Sequence, residues 1–235
     1  MSRLHSFPNP ALQHRRWPEG VPHPNRYYRF MRFLCWITFY FAWRIRVFNR
    51  HREPTAGSVL YISNHQSFLD PMLIGMALQR PVNYMARDSL FKIPGFSRLI
   101  RSINAFPVRR GTADLAAMKE ALRRLKAGGQ VAVFAEGTRT RDGRVGPLLP
   151  GVAMLAQRGA DWTVPVVIDG AYESWPRKYK LPHVGDHIVV EYGRPISRAE
   201  AAALPGEQLL GKVRQEIIDM QTDLRRRIGR PPLAY

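Results

Sequence analysis

The chain holds a single cysteine, Cys35, set among apolar and aromatic residues. No intrachain disulfide is possible, so no oxidising compartment is required, and a thiol in that setting is poorly placed for nucleophilic chemistry. Acidic residues are scarce as well: 18 Asp and Glu stand against 36 Lys and Arg, a formal net charge of +18. That imbalance points to polyanionic partners, whether nucleic acid, anionic lipid or phosphorylated substrates. Long apolar runs are also missing. The longest, residues 33–43 interrupted only by Thr38, is about half of the ~20 residues that a membrane-crossing helix needs. No secretory signal is recognisable, because the first apolar run starts after residue 30 and lacks a small-residue cleavage site. Zinc-finger, homeodomain and RNA-recognition signatures are absent, which argues against a nucleic-acid partner.

What is present suffices for a folded domain. Hydrophobic residues make up 45% and aromatics 11% of 235 residues, enough for a packed core. The positive charge is unevenly placed: residues 1–52 carry ten arginines and no lysine against one acid, Glu19. Residues 1–25 contain Pro8, Pro10, Pro18, Pro22 and Pro24 and read as an irregular basic arm. Residues 26–52 read as a membrane-interface helix, with aromatic rings between Arg26, Arg29, Arg32 and Arg44, Arg46, Arg50, Arg52. Arginine stems can snorkel to lipid phosphates while the rings enter the interface. The rival reading of this segment is a core helix packed on its own domain. Residues 53–235 then read as one further domain, entered through Glu53-Pro-Thr-Ala-Gly57.

Within that domain strands and helices alternate. Residues 58–63, 82–86, 105–108, 131–134, 164–168 and 187–192 read as strands. Residues 71–78 start a helix at a proline, and 112–127 form the clearest one, capped by Thr112 and ended by Gly128-Gly129. Leu115, Met118, Leu122 and Leu125 fall on one face of it. A last amphipathic helix covers 207–227, with Val213, Ile217, Met220 and Leu224 on one side. The expected fold is α/β, a central mixed sheet covered by helices on both faces, with an N-terminal interfacial helix.

Three constellations carry chemistry. Asn64-His65-Gln-Ser-Phe-Leu-Asp70 follows a buried strand and enters a helix, where α/β folds place functional groups. A histidine there can act as general base, and a carboxylate five positions on can fold back to its ring, fixing the tautomer. The plainer reading is a helix-capping turn. Glu136-Gly137-Thr138-Arg139 also follows a strand; Gly137 permits a tight turn and Arg139 offers a planar fork suited to phosphate. Burying Glu136 unpaired would be costly, so it requires an arginine or backbone N–H partners. Phe106-Pro-Val-Arg109-Arg110 adds two guanidinium groups at a strand exit.

Together these residues, in this order and spacing over roughly residues 55–195, resemble the 1-acylglycerol-3-phosphate acyltransferase family of glycerolipid-synthesising enzymes. Residues 64–70 are similar to its His-x4-Asp block, 105–110 to its second, 136–139 to its third, and Val164-Pro-Val166 to its fourth. The resemblance implies that His65 removes the proton from the acceptor hydroxyl, supported by Asp70, and that the hydroxyl attacks a thioester carbonyl. It further implies that Glu136, Gly137, Thr138 and Arg139, with Arg110, hold the acceptor's phosphate. The donor would be an acyl-CoA or acyl carrier protein thioester, with no metal or other cofactor. The place of action would be the cytoplasmic face of an anionic phospholipid membrane, where the lysophospholipid acceptor lies. No Gly-x-Ser-x-Gly elbow is present, which favours direct transfer over an acyl-enzyme; Ser67, two residues from the histidine, stays open as a nucleophile.

Three departures bear on the acceptor: Ala135 stands where the family usually has proline, Arg109 where it often has an acid, and Leu148-Leu149-Pro150 where a lysine is common. The alternatives are another acceptor, such as glycerol 3-phosphate, another lysophospholipid or a lyso-aminolipid, and a non-catalytic basic membrane- or nucleic-acid-binding protein.

An interfacial segment of this kind combines attraction to anionic lipid, about 1 kcal/mol per Arg and screened by salt, with apolar burial that salt does not screen. Co-sedimentation with anionic vesicles is therefore expected to weaken in high salt without being abolished. Deleting residues 1–52 is expected to release the protein while leaving a folded domain; equal binding by both forms sinks the anchor.

Overall fold

The computed structural model describes residues 24–109 and 114–235. Nearly all of the proline-rich arm, together with Arg110 and Thr112, lies outside the described residues. The first helix, α1 (Arg26–Trp43), begins at Asn25, whose side chain accepts the Tyr28 N–H at 2.7 Å. It stops where Arg44 turns left-handed at φ 42°. The chain then extends into β1 (Arg46–Phe48). The helix expected across 26–52 is thus shorter: Arg46–Phe48 join the sheet, and Arg50–Arg52 form a separate 3-10 turn. The remaining elements are β2 (Val59–Ser63), α2 (Asp70–Ala77), β3 (Val82–Arg87), α3 (Phe96–Ser102), β4 (Ala105–Val108) and α4 (Leu115–Lys126). They are followed by β5 (Gln130–Phe134), α5 (Gly151–Arg158), β6 (Trp162–Asp169), α6 (Ala171–Ser174), β7 (Val189–Tyr192), β8 (Ile196–Ser197), α7 (Arg198–Ala202) and α8 (Gly206–Arg227).

One sheet runs in the order β1-β7-β6-β2-β5-β3-β4, with β8 on β6. From β6 to β4 neighbouring strands are parallel, whereas β7 is antiparallel to β6. The sheet is mixed and both faces are buried, which is why its strands are continuously apolar rather than alternating. Along β2, Leu60 and Ile62 enter one core with α4, α5, α7 and α8, while Val59 and Tyr61 enter another with α1 and α2. The expected α/β architecture with helices on both faces is therefore what the chain adopts.

Two details differ from the reading of the sequence. On α4 the cap is Asp114, which accepts the N–H groups of Ala116 and Ala117. Its buried stripe is Ala117, Ala121 and Leu125, while Leu115 is exposed. Small alanines at spacing four let the helix lie close to the sheet, and Met118 and Leu122 pack at the flank of that stripe.

The other concerns α1, which is no detachable appendage. Arg32 donates to the carbonyls of Leu78 and Gln79 at 2.7 and 2.9 Å, and Trp36 Nε1 to Met76 at 2.8 Å, so α1 caps the carboxyl end of α2. Phe39 and Trp43 are buried in the core, and Trp43 Nε1 reaches the His183 carbonyl at 2.6 Å. The opposite side carries Phe30, Phe33, Leu34, Ile37, Tyr40 and Phe41 exposed at helical spacing. No helix among the described residues is long and apolar enough to cross a membrane.

Excising residues 1–52 would remove β1 and three buried aromatic side chains, Tyr28, Phe39 and Trp43, so it is expected to destabilise the domain rather than leave it intact. Phe39→Ala is expected to cost about 3–5 kcal/mol in urea denaturation. Phe33→Ser, on the exposed side, is expected to stay within about 0.5 kcal/mol of the parent. Similar losses at both positions contradict the two-sided assignment of α1.

Candidate active site

β2 and β5 lie side by side and parallel, with Ser63 opposite Phe134. The chain leaves both strands at the same end, so the 64–70 loop meets the loop that begins at Ala135. Asn64 prepares the turn. Its side chain donates to the Ile168 carbonyl and accepts the Ile168 N–H, both at 2.8 Å, continuing the β2–β6 ladder with a side chain. The backbone is thereby released from the sheet at His65.

Asp70, the first residue of α2, closes the turn. Its Oδ2 accepts His65 Nδ1 at 2.7 Å and the N–H groups of Gln66 and Ser67 at 2.6 and 2.8 Å. Asp70 is 0% exposed and His65 5%. A carboxylate accepts only, so Nδ1 carries the proton of the neutral imidazole and Nε2 is left as the free acceptor. The imidazole stacks on Phe134 at 4.2 Å between ring centres, which fixes its plane.

The second loop clamps the same histidine through its main chain. Glu136 Oε1 accepts the His65 N–H at 2.9 Å, and Thr140 N–H donates to the His65 carbonyl at 2.7 Å. Glu136 also accepts the Gly146 N–H. Backbone donors, rather than an arginine, are therefore its hydrogen-bond partners. Burial pushes its carboxyl up to about 7; the two N–H donors and Arg214 oppose the rise, and the nearby Asp70 charge adds to it. Gly137 sits at φ 68°, a left-handed conformation that favours glycine, while the one close neighbour of a Cβ there, the exposed Leu149 side chain, could move aside. Thr138 is exposed beside it. The Arg139 guanidinium lies 3.6 Å above the Phe68 ring, a cation–π contact at the edge of the histidine loop.

The structure thus brings His65, Asp70 and residues 136–139 together. Arg109 leaves β4, three strand spacings or about 14 Å from β2; Arg110 lies outside the described residues. The Ser67 hydroxyl is occupied by the Trp175 carbonyl at 3.4 Å and the Leu69 N–H at 3.3 Å, with no contact to the imidazole among the described hydrogen bonds. Among the described residues no cluster of three or more His, Cys, Asp or Glu is placed to hold a metal ion. The supporting roles of Asn64, Gln66, Phe134 and Gly146 were not read from the sequence. Asn64 and Gln66 flank the histidine and carried a signal, whereas Gly146, far along the chain, carried none.

A family model described as Acyltransferase matches residues 44–169. The chain is 26% identical over 174 residues to the 1-acyl-sn-glycerol-3-phosphate acyltransferase of Bacillus subtilis, covering 74% of this chain and 84% of that protein. It is 26% identical over 193 residues to a chloroplastic 1-acyl-sn-glycerol-3-phosphate acyltransferase of Arabidopsis thaliana, covering 79% of this chain but only 53% of that longer protein. Among solved structures, the 1-acyl-sn-glycerophosphate acyltransferase PlsC of Thermotoga maritima superposes with a TM-score of 0.71, at 24% identity, over 85% of this chain and 81% of that one. This last likeness establishes a shared fold.

The raised Glu136 carboxyl has a thermodynamic consequence. Its folded value of about 7 exceeds the ordinary 4.5, so the stability it contributes is present below about pH 4.5 and lost as pH rises through about 7. Glu136→Gln removes the titration. Relative to that variant, the parent is expected to lose stability across this window in urea unfolding. A difference that does not change with pH contradicts the assignment.

Proposed function

The chain belongs to the acyltransferase family, and from that premise we propose that it transfers a fatty acyl group from an acyl thioester to the sn-2 hydroxyl of a 1-acylglycerol 3-phosphate, yielding phosphatidic acid. The observation that carries the chemistry is the 2.7 Å contact between His65 Nδ1 and the buried Asp70 Oδ2. With Nδ1 held as donor, Nε2 takes the proton of the acceptor hydroxyl while the oxygen attacks the thioester carbonyl. The imidazolium that forms is stabilised by Asp70. As the carbon–sulfur bond breaks, the imidazolium returns the proton to the departing sulfur, leaving a free thiol and neutral His65.

In this reading Arg139 and Arg110 hold the acceptor's phosphate, with Gly137 and Thr138 shaping the loop. Glu136 acts one step back, by fixing the main chain of His65. The acceptor is a membrane lipid, and the exposed aromatic stripe on α1 supports docking of the domain on an anionic bilayer. The active side is the cytoplasmic one, where either coenzyme A or acyl carrier protein can deliver the donor.

The test is a lipid-product assay with lysophosphatidate, glycerol 3-phosphate and lysophosphatidylcholine, each offered with both donors. Phosphatidic acid from lysophosphatidate is the expected product. His65→Ala is expected to lower turnover by about two to four orders of magnitude in a folded protein. Arg139→Lys keeps the charge but loses the fork, and is expected to raise the KM of the phosphorylated acceptor more than that of the donor. Near-normal activity of folded His65→Ala removes the mechanism, and an effect of Arg139→Lys confined to the donor reverses the site assignment.

A further inference from the structure

A second feature adjoins the histidine loop. A cavity of about 440 Å³ is lined by Thr140, Arg141, Tyr172, Pro176, Arg177 and Lys178. Its inner wall is tied to the histidine loop: Thr140 N–H bonds the His65 carbonyl at 2.7 Å, and Tyr172 N–H bonds Gln66 Oε1 at 3.1 Å. The Tyr172 hydroxyl donates to the Arg141 carbonyl at 2.6 Å, which joins the two walls. Arg141, Arg177 and Lys178 are all exposed. Among the described residues none of them is in an ion pair, and Lys178 has only a 5.2 Å contact with the Tyr179 ring.

Of the carboxylates closest to them in sequence, one borders the recess and the other is drawn toward α8. Asp142 accepts the Thr140 hydroxyl and pairs with Arg144, and Glu173 pairs with Arg225. Three cations against one bordering carboxylate leave the recess net positive, as an anion site requires. The recess is several times larger than a single phosphate group, so one acceptor phosphate would not fill it. The proposed acceptor cation, Arg139, is instead seated over Phe68.

We propose that this cavity receives the phosphates of the acyl donor's carrier, namely the phosphodiester of a phosphopantetheine arm and, in coenzyme A, the nucleotide phosphates beyond it. The cavity adjoins the histidine loop, so an arm gripped at its cationic rim can extend toward His65. This rests on the acyl-transfer reading above, and it identifies the part of the donor that the protein grips.

Calorimetric titration separates the two claims, because it needs no turnover. The probes are coenzyme A, 4′-phosphopantetheine, pantetheine, holo-acyl carrier protein and lysophosphatidate, against the parent protein and Arg177→Gln/Lys178→Gln. Both side chains are exposed, so the variant is expected to fold normally. Loss of two charge-assisted contacts is expected to weaken coenzyme A and 4′-phosphopantetheine by about tenfold or more while leaving pantetheine unchanged. Holo-acyl carrier protein binding more tightly than coenzyme A assigns the phosphate to a protein-borne arm; the reverse assigns it to the free cofactor. Equal affinities of parent and variant for every phosphorylated arm overturn the proposal, as does a loss confined to lysophosphatidate. Absence of acyl product in the assay above sinks the functional reading alone, and the titration is judged without it.

Discussion

One carboxylate oxygen, Asp70 Oδ2, organises the site. It collects the His65 imidazole and two backbone N–H groups within 2.8 Å, in a position closed to solvent. A buried carboxylate persists as an anion only when donors converge on it, and here the donors come from its own turn. The charge therefore holds the turn, and the turn presents the histidine. Glu136 and Thr140 grip the same residue from the neighbouring strand's loop. His65 is thus set by its ring, its N–H and its carbonyl together, as a general base requires if its geometry is to survive substrate binding.

The carboxylate that orients His65 and the helix that carries the exposed aromatic stripe belong to one packed path. Asp70 opens α2, and the other end of α2, about 12 Å away along its axis, is capped by Arg32 and Trp36 of α1. One side of α1 is committed to this packing while the other leaves a stripe of aromatic residues uncovered. The proposed docking on lipid through that stripe would hold His65 at a set height above the bilayer. The core-helix reading thus holds for one side of α1, and the proposed interfacial docking would use the other.

Much of this was legible in the sequence. Parallel strands buried on both faces leave continuous apolar runs, and 58–63, 105–108 and 131–134 were readable for that reason. The five-residue spacing of His65 and Asp70 spans one turn, so their contact was visible too. Other features were not. β1 has three residues, and the left-handed Arg44 before it has no composition signature in a residue that rarely adopts that conformation. α5 is eight residues between Pro150 and Gly159 and too short for its period to register. On α4 the leucine pattern pointed to one stripe, but close approach to the sheet selected Ala117 and Ala121. The partners of Glu136 depend on Gly146, brought near by a loop whose path Arg214 fixes from α8 through the Val145 and Gly146 carbonyls. Such tertiary bonds leave no local trace.

The central claim is that Asp70 holds His65 as the Nδ1–H tautomer with Nε2 free to accept a proton. The direct measurement is nitrogen-15 NMR of histidine-labelled protein at neutral pH, with the His65 signals assigned by their loss in His65→Ala. The account predicts a protonated Nδ1 and an unprotonated Nε2 in the parent, and a change of that pattern in Asp70→Asn. An Nε2–H tautomer in the parent, or a pattern indifferent to Asp70→Asn, would contradict it.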